Sequence, residues 1–273
     1  MKDTIGNPAI IHEDNHIMVV IKPQNVPSQP DASHDPDMLT ILKQHRKVAE
    51  NKSGEAFVGL VHRLDRVTGG VMVFAKTSKG AARLAESIKG GDFQKKYLAV
   101  VCGAPKERVG KLEHYLLKNE TKNIVEVVGQ AVTGAKYAEL NYKTIGTIGV
   151  DEQNISLVEV ELITGRSHQI RVQMATIGCP LVGDAKYGLQ KNVEHGENML
   201  DENTIFSSMS RKPATTSSGM RGKKANLALW AYELSFTHPT TAERMKFVVN
   251  PPETAPWMHF DFNRKGHKHR GGE

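Results

Sequence analysis

A short polar segment, His62–Gly70, carries one carboxylate, Asp65, between two arginines, Arg63 and Arg66, and ends in two glycines. The bare segment is ambiguous, and one interpretation is that Asp65 takes part in chemistry, as carboxylates do in many enzymes. The residues alone leave a second interpretation open, in which Asp65 makes a structural ion pair or caps a turn. Apolar stretches flank the segment, so we predict a loop between rigid strands, which is a common place for chemistry.

A second group of polar residues begins at Thr164-Gly165-Arg166, directly after the alternating stretch Ile155–Ile163. The alternation is typical of a half-buried strand, so Arg166 is predicted at a turn, where it could take part in chemistry or in a surface ion pair. From Ser167 the spacing predicts a helix whose apolar face would exclude Arg171.

The third residue to consider is Tyr97, which lies in a predicted strand at Lys95–Val101. On its own, a tyrosine that alternates within a strand is expected to pack in the core.

The elements that position these residues form no regular repeat of strand and helix. The pattern predicts a hairpin at 9–21, helices that begin near Asp37 and Ser78, strands at 56–61 and 71–75, and two late strands at 227–236 and 245–249. Strands outnumber helices in a mixed order, so we predict an α+β fold with a largely antiparallel sheet.

Composition limits the classes of function. The formal net charge is +6 and the pI is about 9.2, which favours a polyanionic partner such as nucleic acid. Two cysteines, Cys102 and Cys179, cannot form a disulfide framework or a four-cysteine zinc site. We find no signal-peptide pattern and no apolar run of about 20 residues, so we expect a soluble cytoplasmic protein without a membrane anchor.

Two basic regions stand apart from the rest. Residues 190–224 are rich in Ser, Thr, Gly and Lys and are interpreted as a flexible basic insertion, or as a solvated loop without a partner. Residues 262–273 form a basic tail.

Several motifs together resemble the RluA-like family of RNA pseudouridine synthases. His62-Arg63-Leu64-Asp65 with Thr68 and Gly70 resembles the family signature. The other matching segments are Glu13-Asp14-Asn15 through Lys22-Pro23, Lys96-Tyr97-Leu98-Ala99, Leu162 through Arg171, Gly183-Asp184 with Tyr187-Gly188, Leu234 through Pro239, and Pro251-Pro252. The resemblance runs from about residue 9 to residue 252.

The resemblance implies a catalytic fold with a mixed, mostly antiparallel central sheet, flanking helices and a basic cleft. It implies that Asp65 attacks either ribose C1′ or uracil C6 of a flipped uridine. Arg166 is expected to pair with Asp65, and Tyr97 to lie against the target base. Such an isomerisation requires no cofactor and no metal.

RNA contacts are also expected from the resemblance. Arg63 would fill the stack that the flipped base leaves, and the further RNA-binding candidates are His62, His168, Gln169 and Arg171. Three positions depart from the family pattern: Gly69 stands where serine is usual, and Gln173 and Trp230 stand where histidine is common.

Residues 1–273 are therefore expected to form a single catalytic domain, without the small N-terminal RNA-binding domain of many relatives. We expect a monomer with no obligate protein partner that modifies ribosomal or transfer RNA. Two rival hypotheses are an RNA-binding protein of the same fold without turnover, and a glycosidase or nucleosidase that uses paired carboxylates.

Overall fold

The computed structural model describes residues 9–51, 53–150, 153–188 and 226–262. The predicted insertion at 190–224 and the predicted tail from residue 263 onward lie outside them. The strands are β1 (Ala9–Glu13), β2 (Ile17–Lys22), β3 (Gly59–Leu60), β4 (Gly69–Ala75), β5 (Gln94–Cys102), β6 (Val109–Asn119), β7 (Ile124–Val128), β8 (Lys136–Val150), β9 (Gln153–Leu162), β10 (Leu229–Thr237) and β11 (Arg244–Val248). The helices are α1 (Met38–Ala49), α2 (Ser78–Lys89) and α3 (Gln169–Thr176), followed by a 3-10 turn at Trp257–His259.

All of these strands belong to one sheet, with the order β1-β2-β4-β10-β5-β9-β8-β6-β7. The strand β11 pairs with β10, and β3 pairs with β4. The pairing is antiparallel except where β10 runs parallel to β4. The predicted α+β fold with a mainly antiparallel sheet is confirmed.

Local sequence explains where the helices begin. The Asp37 side chain accepts a hydrogen bond from the backbone N–H of Thr40 at 3.1 Å, and Thr77 does the same for Gly80 at 3.0 Å. Such caps satisfy amide groups that have no partner inside a helix. The predicted starts of α1 and α2 are therefore confirmed.

The alternation of side chains divides the core between the two faces of the sheet. On one face, Met18, Phe74 and Tyr97 pack with residues of α1 and α3. On the other face, residues of β2 and β4 pack with Leu84 of α2, and residues of β5 and β10 pack with Trp257. The catalytic candidates lie on the α1 and α3 side.

The helix α3 is buried around its circumference, from Gln169 through Met174. The prediction that Arg171 lies off the buried face is therefore wrong. Gln173 ties the helix to the sheet, because its side-chain amide donates to Leu112 O of β6 at 3.2 Å and to Ala138 O of β8 at 3.3 Å.

The parallel contact between β4 and β10 is short and close. It pairs Gly69 with Trp230 and Gly70 with Ala231. Gly70 has a φ of +121°, and a Cβ atom there would lie 2.3 Å from Ala231 O. Only glycine fits at residue 70. This contact between β4 and β10 lies directly after the loop that carries Asp65.

Within the described ranges, no helix has the length and apolar character needed to cross a membrane.

Candidate active site

Asp65 lies in the loop between β3 and β4, as the sequence predicts. Its backbone carbonyl accepts a hydrogen bond from the N–H of Thr68 at 3.0 Å, which closes a turn just before β4. The side chain of Asp65 is 31% exposed. The carboxylate is therefore supported by the protein and still accessible to a substrate.

The segment after β2 holds the backbone of this loop. The Ser28 hydroxyl donates to Leu64 O at 2.8 Å and accepts from Leu64 N at 3.2 Å. The side-chain amide of Gln24 donates to Val67 O at 3.1 Å. Backbone groups on both sides of Asp65 thus have fixed partners, which limits the movement of the loop.

Lys22, at the end of β2, holds the same loop through a hydrogen bond to its backbone. Its buried ammonium group donates to Pro23 O at 2.9 Å, Val26 O at 2.6 Å and Arg66 O at 3.0 Å. Three acceptors match the three N–H bonds of the protonated form. Burial lowers the pKa of Lys22 to about 7, an effect that the nearby Asp65 charge opposes.

Arg66 does not neutralise its neighbour Asp65. Its guanidinium instead pairs with Asp31 at 2.8 Å and Asp35 at 2.6 Å, and it also contacts Ser33. This pairing attaches residues 31–35 to the loop that carries Asp65. Arg63 precedes Asp65 in the same loop and is exposed.

Arg171 supplies the guanidinium beside Asp65. Its Nη1 lies 3.7 Å from Asp65 Oδ2, and its Nε and Nη2 donate to the two carboxylate oxygens of Asp184 at 2.8 and 2.6 Å. Arg171 and Asp184 are both buried. Burial acts to lower the pKa of Arg171, but Asp184 and Asp65 together raise it, so the group keeps its charge.

The expected pairing of Arg166 with Asp65 is therefore corrected. Arg166 is exposed, and its Nε donates to Tyr137 O at 2.8 Å. Its backbone N–H donates to the side chain of Gln169 at 2.9 Å. These contacts hold Arg166 at the turn before α3, where its guanidinium faces β8.

Tyr97 lies in β5 and is 6% exposed. Burial raises the pKa of its phenol, and the negative charge of Asp65 raises it further. Tyr97 and Asp65 are thus electrostatic neighbours, as the expected site requires. The phenol stays protonated at neutral pH.

A histidine and a tyrosine complete the surroundings of Asp65. The Nε2 atom of His168 lies 3.9 Å from Asp65 Oδ2. Its Nδ1 lies 2.7 Å from the hydroxyl of Tyr187, which also accepts a hydrogen bond from the N–H of Val125 at 2.8 Å. The Tyr187 ring in turn faces the Arg171 guanidinium at 5.1 Å.

The predicted RNA-binding residues have different locations. Gln169 is buried, and its side chain bonds to Thr164 Oγ1 at 2.9 Å and to Glu139 O at 3.0 Å, so it shapes the turn before α3 and is not exposed. His62 accepts from the N–H of Val73 at 3.1 Å, and burial lowers its pKa to about 3. Of the five candidates, Arg63 alone is exposed.

Sequence reasoning missed the supporting roles of Lys22, Asp184 and Tyr187. All three lie in segments that carry the family resemblance, which was the available signal. Their roles depend on contacts between distant segments, and local patterns do not report such contacts.

Comparisons with known proteins cover most of this chain. The family model described as RNA pseudouridylate synthase matches residues 16–176, which include Asp65, Tyr97 and Arg171. The ribosomal large subunit pseudouridine synthase D of Zymomonas mobilis is 30% identical over 246 residues, covering 89% of this chain and 69% of the relative. An uncharacterized RNA pseudouridine synthase of Aquifex aeolicus is 31% identical over 246 residues, covering 90% of this chain and 70% of the relative.

A solved structure shows the same fold. The structure titled human RNA Pseudouridylate Synthase Domain Containing 4 superimposes with a TM-score of 0.66 at 22% identity, covering 89% of this chain and 88% of the other. With the family match and the bacterial relatives, the conclusion is that this chain belongs to the RluA-like family of RNA pseudouridine synthases, which are isomerases.

Proposed function

We propose that the chain isomerises specific uridines of structured RNA, and that Asp65 is the nucleophile. The observation that carries this proposal is the position of the Asp65 carboxylate. It is accessible, it lies 3.7 Å from Arg171, and its charge acts on Tyr97. These three groups come from the catalytic loop, α3 and β5, which the sheet brings to one place.

The chemistry that these groups would perform is a redox-neutral exchange of bonds. The bond between N1 and C1′ breaks, the uracil turns, and a bond forms between C5 and C1′. The proton leaves C5, and N1 gains one. Asp65 forms a transient bond with ribose C1′ or uracil C6, and that bond is later broken, so the carboxylate is regenerated.

Arg171 would keep Asp65 ionised and oriented, because an adjacent cation favours the charged form of a carboxylate. Tyr97 would pack against the base. Its raised pKa disfavours a phenolate, so removal of the C5 proton by ionised Tyr97 has no support. Arg63, exposed next to Asp65, is suited to fill the gap that a flipped base leaves.

Ribosomal RNA is the first substrate class to test, and transfer RNA is the second. Two bacterial relatives from Zymomonas mobilis and Pseudomonas aeruginosa carry the name ribosomal large subunit pseudouridine synthase D, and each is 30% identical. The net charge of +6 suits either RNA.

We further propose that the protein acts as a monomer in the cytoplasm, as one catalytic domain and without a cofactor. The described strands form a single sheet that brings the groups around Asp65 together, which supports one catalytic domain. The chain has two cysteines, Cys102 and Cys179, both buried, and this sparse use of cysteine fits a reducing compartment.

The test is mass spectrometry of RNA after incubation with the wild-type protein or with Asp65→Asn. We expect pseudouridine with the wild type and a loss of at least about 10³-fold with the variant, because the amide cannot form the covalent bond. Equal pseudouridine with both proteins would exclude Asp65 as nucleophile. Release of free uracil would instead favour the hydrolase hypothesis.

A further inference from the structure

The backbone of His168 has an unusual conformation next to Asp65. His168 precedes α3 with a φ of +51° and a ψ of +18°, in the left-handed region that residues with a Cβ atom seldom adopt. Its side chain makes no capping hydrogen bond with the helix. Since strain of this kind persists where the surrounding structure requires it, the position of the imidazole calls for a functional explanation.

The hydroxyl of Tyr187 determines which imidazole nitrogen carries the proton. The N–H of Val125 can only donate, so the Tyr187 oxygen accepts that hydrogen bond at 2.8 Å. Within the described part of the chain, the other polar partner of the Tyr187 hydroxyl is His168 Nδ1 at 2.7 Å, which is placed to accept the phenolic hydrogen. Nδ1 therefore accepts, and a neutral imidazole in this position carries its proton on Nε2.

This tautomer directs an N–H group towards the nucleophile. Nε2 lies 3.9 Å from Oδ2 of Asp65, and Arg171 approaches the same oxygen at 3.7 Å. Both distances exceed a hydrogen bond, but catalytic contacts are often long without substrate and shorten in the complex. Two donors on Oδ2 would leave Oδ1 as the oxygen that attacks.

Burial, more than the surrounding charges, favours the neutral form of His168 by lowering its pKa. Burial lowers its pKa, and Arg171 and Lys186 act in the same direction. Asp65 and Asp184 oppose them without reversing the net effect. Burial also raises the pKa of Tyr187, so its hydroxyl keeps the hydrogen that it donates.

We infer that Tyr187 and His168 are positioning residues that form a hydrogen-bond relay to Asp65: the Tyr187 hydroxyl holds His168 in the Nε2–H tautomer, and this N–H orients the carboxylate for attack through Oδ1. The inference assigns roles to residues of the proposed active site and in that sense rests on the proposed function. The tautomer of His168 is a property of the free protein, whereas the contact of its N–H with Asp65 is expected to shorten when the substrate binds.

The direct test is nuclear magnetic resonance of protein with ¹⁵N-labelled histidine. The chain has 12 histidines, so the signals of His168 are identified by their loss in His168→Gln. We expect a protonated Nε2 and an unprotonated Nδ1 in the wild type at pH 7.5, and a mixture of tautomers in Tyr187→Phe. A proton on Nδ1 in the wild type would overturn the relay, and this result would not depend on any substrate.

The kinetic test compares Tyr187→Phe, His168→Gln, His168→Ala and the double variant Tyr187→Phe/His168→Gln. We expect Tyr187→Phe to lower kcat roughly tenfold to a hundredfold, because a reacting group that is misplaced by about 1 Å can slow the reaction by about 10²-fold. KM for RNA should change by less than about twofold, since the relay does not bind RNA. His168→Gln should retain more activity than His168→Ala, because the glutamine amide still offers an N–H.

In the His168→Gln background a tautomer no longer exists, so Tyr187→Phe should then lower kcat by less than about twofold. An equal loss in both backgrounds would mean that Tyr187 acts by another route, such as its ring contact with Arg171, and would overturn the relay. Tyr115→Phe is the matched control, because it removes a hydroxyl from a half-buried tyrosine away from Asp65.

The same assay separates the two proposals. If Asp65→Asn is inactive and Tyr187→Phe is fully active, the proposed function stands and the relay fails. If the wild type produces no pseudouridine, the proposed function fails, and the tautomer measurement alone decides about the relay.

Discussion

Asp65, Arg171 and Asp184 form a row of alternating charges from the cleft into the core. Asp184 binds Arg171 through two hydrogen bonds and is fully buried, so it fixes the plane of the guanidinium. The free edge of that guanidinium then faces Asp65 at 3.7 Å. A lysine would keep the charge but would lose the planar fork that serves both carboxylates.

Arg171→Lys is therefore expected to lower kcat by at least about 100-fold, because the orientation of Asp65 is lost. Arg166→Ala, the matched control five residues earlier, should change kcat by less than about fivefold, because exposed contacts contribute little. Single-turnover formation of pseudouridine measures both effects. A larger loss of kcat in Arg166→Ala would restore Arg166 as the partner of Asp65.

The stability of these variants needs a separate measurement. Removal of Arg171 by alanine would leave the buried Asp184 without its partner, at a cost of about 3–5 kcal/mol. Arg171→Lys avoids most of this loss, so thermal unfolding should show a folded protein whose defect lies in catalysis.

His62 links the stability of the fold to pH. Its folded pKa of about 3 lies below the usual value of 6.5, so between these values the unfolded chain binds a proton that the folded chain does not. Acid therefore favours unfolding in this window, by up to about 1.4 kcal/mol per pH unit from this residue. The contribution to stability is complete above pH 6.5 and is lost as the pH falls towards 3.

His62→Gln should remove this dependence and keep an acceptor for the N–H of Val73. We expect the difference in free energy of unfolding between wild type and variant, measured in urea, to change by up to about 1.4 kcal/mol for each pH unit between 6 and 4. Parallel pH profiles for the two proteins would contradict the burial of a neutral imidazole.

At the scale of the elements, Gly69 and Trp230 form one complementary pair. A Cβ atom at Gly69 would lie 2.3 Å from Cζ3 of Trp230. The indole is buried, and its Nε1 donates to Val249 O at 2.9 Å. Two of the departures from the family pattern are therefore coupled: the indole fills the space that a side chain at residue 69 would need.

Gly69→Ala should destabilise the fold by about 1–3 kcal/mol through overpacking. In the Trp230→Leu background the same change should cost at least about 1 kcal/mol less, because the obstructing ring is gone. Urea unfolding of the wild type, both single variants and the double variant measures this coupling. Additive effects would show that the two sites are independent.

Local sequence predicted the elements with strong local signals and missed those without them. The hairpin β1–β2, the caps of α1 and α2, and the alternating strand β9 followed from the pattern. The strands β6, β7 and β8 were not predicted. In β8, buried apolar residues alternate with polar ones only from Ala138 to Lys143, and the register shifts beyond Thr144, so the signal covers less than half of the strand.

The candidate site shows the same limit. The motif around Asp65 and the strand with Tyr97 are contiguous in sequence, so both could be assigned. The choice between Arg166 and Arg171 depends on Asp184, which lies in another segment and makes it favourable to bury a charged residue on α3. A helical pattern of apolar residues contains no information about that partner.

At the scale of the whole molecule, β10 joins two halves of the sheet. The strands β1, β2 and β4 lie on one side of it, and β5, β9, β8, β6 and β7 lie on the other. The catalytic loop belongs to the first half, while Tyr97 and Arg171 belong to the second. The site therefore exists only when β10 connects the halves.

Because β10 follows nearly all of the other strands in the chain, a ribosome synthesises the connecting strand late. Until residues 229–237 leave the exit tunnel, β4 and β5 have open edges, which are the features most prone to wrong pairing. A nascent chain of this protein thus carries two incomplete half-sheets from the completion of β9 until β10 emerges, and a product truncated before Leu229 would keep them apart and would offer both edges to other chains.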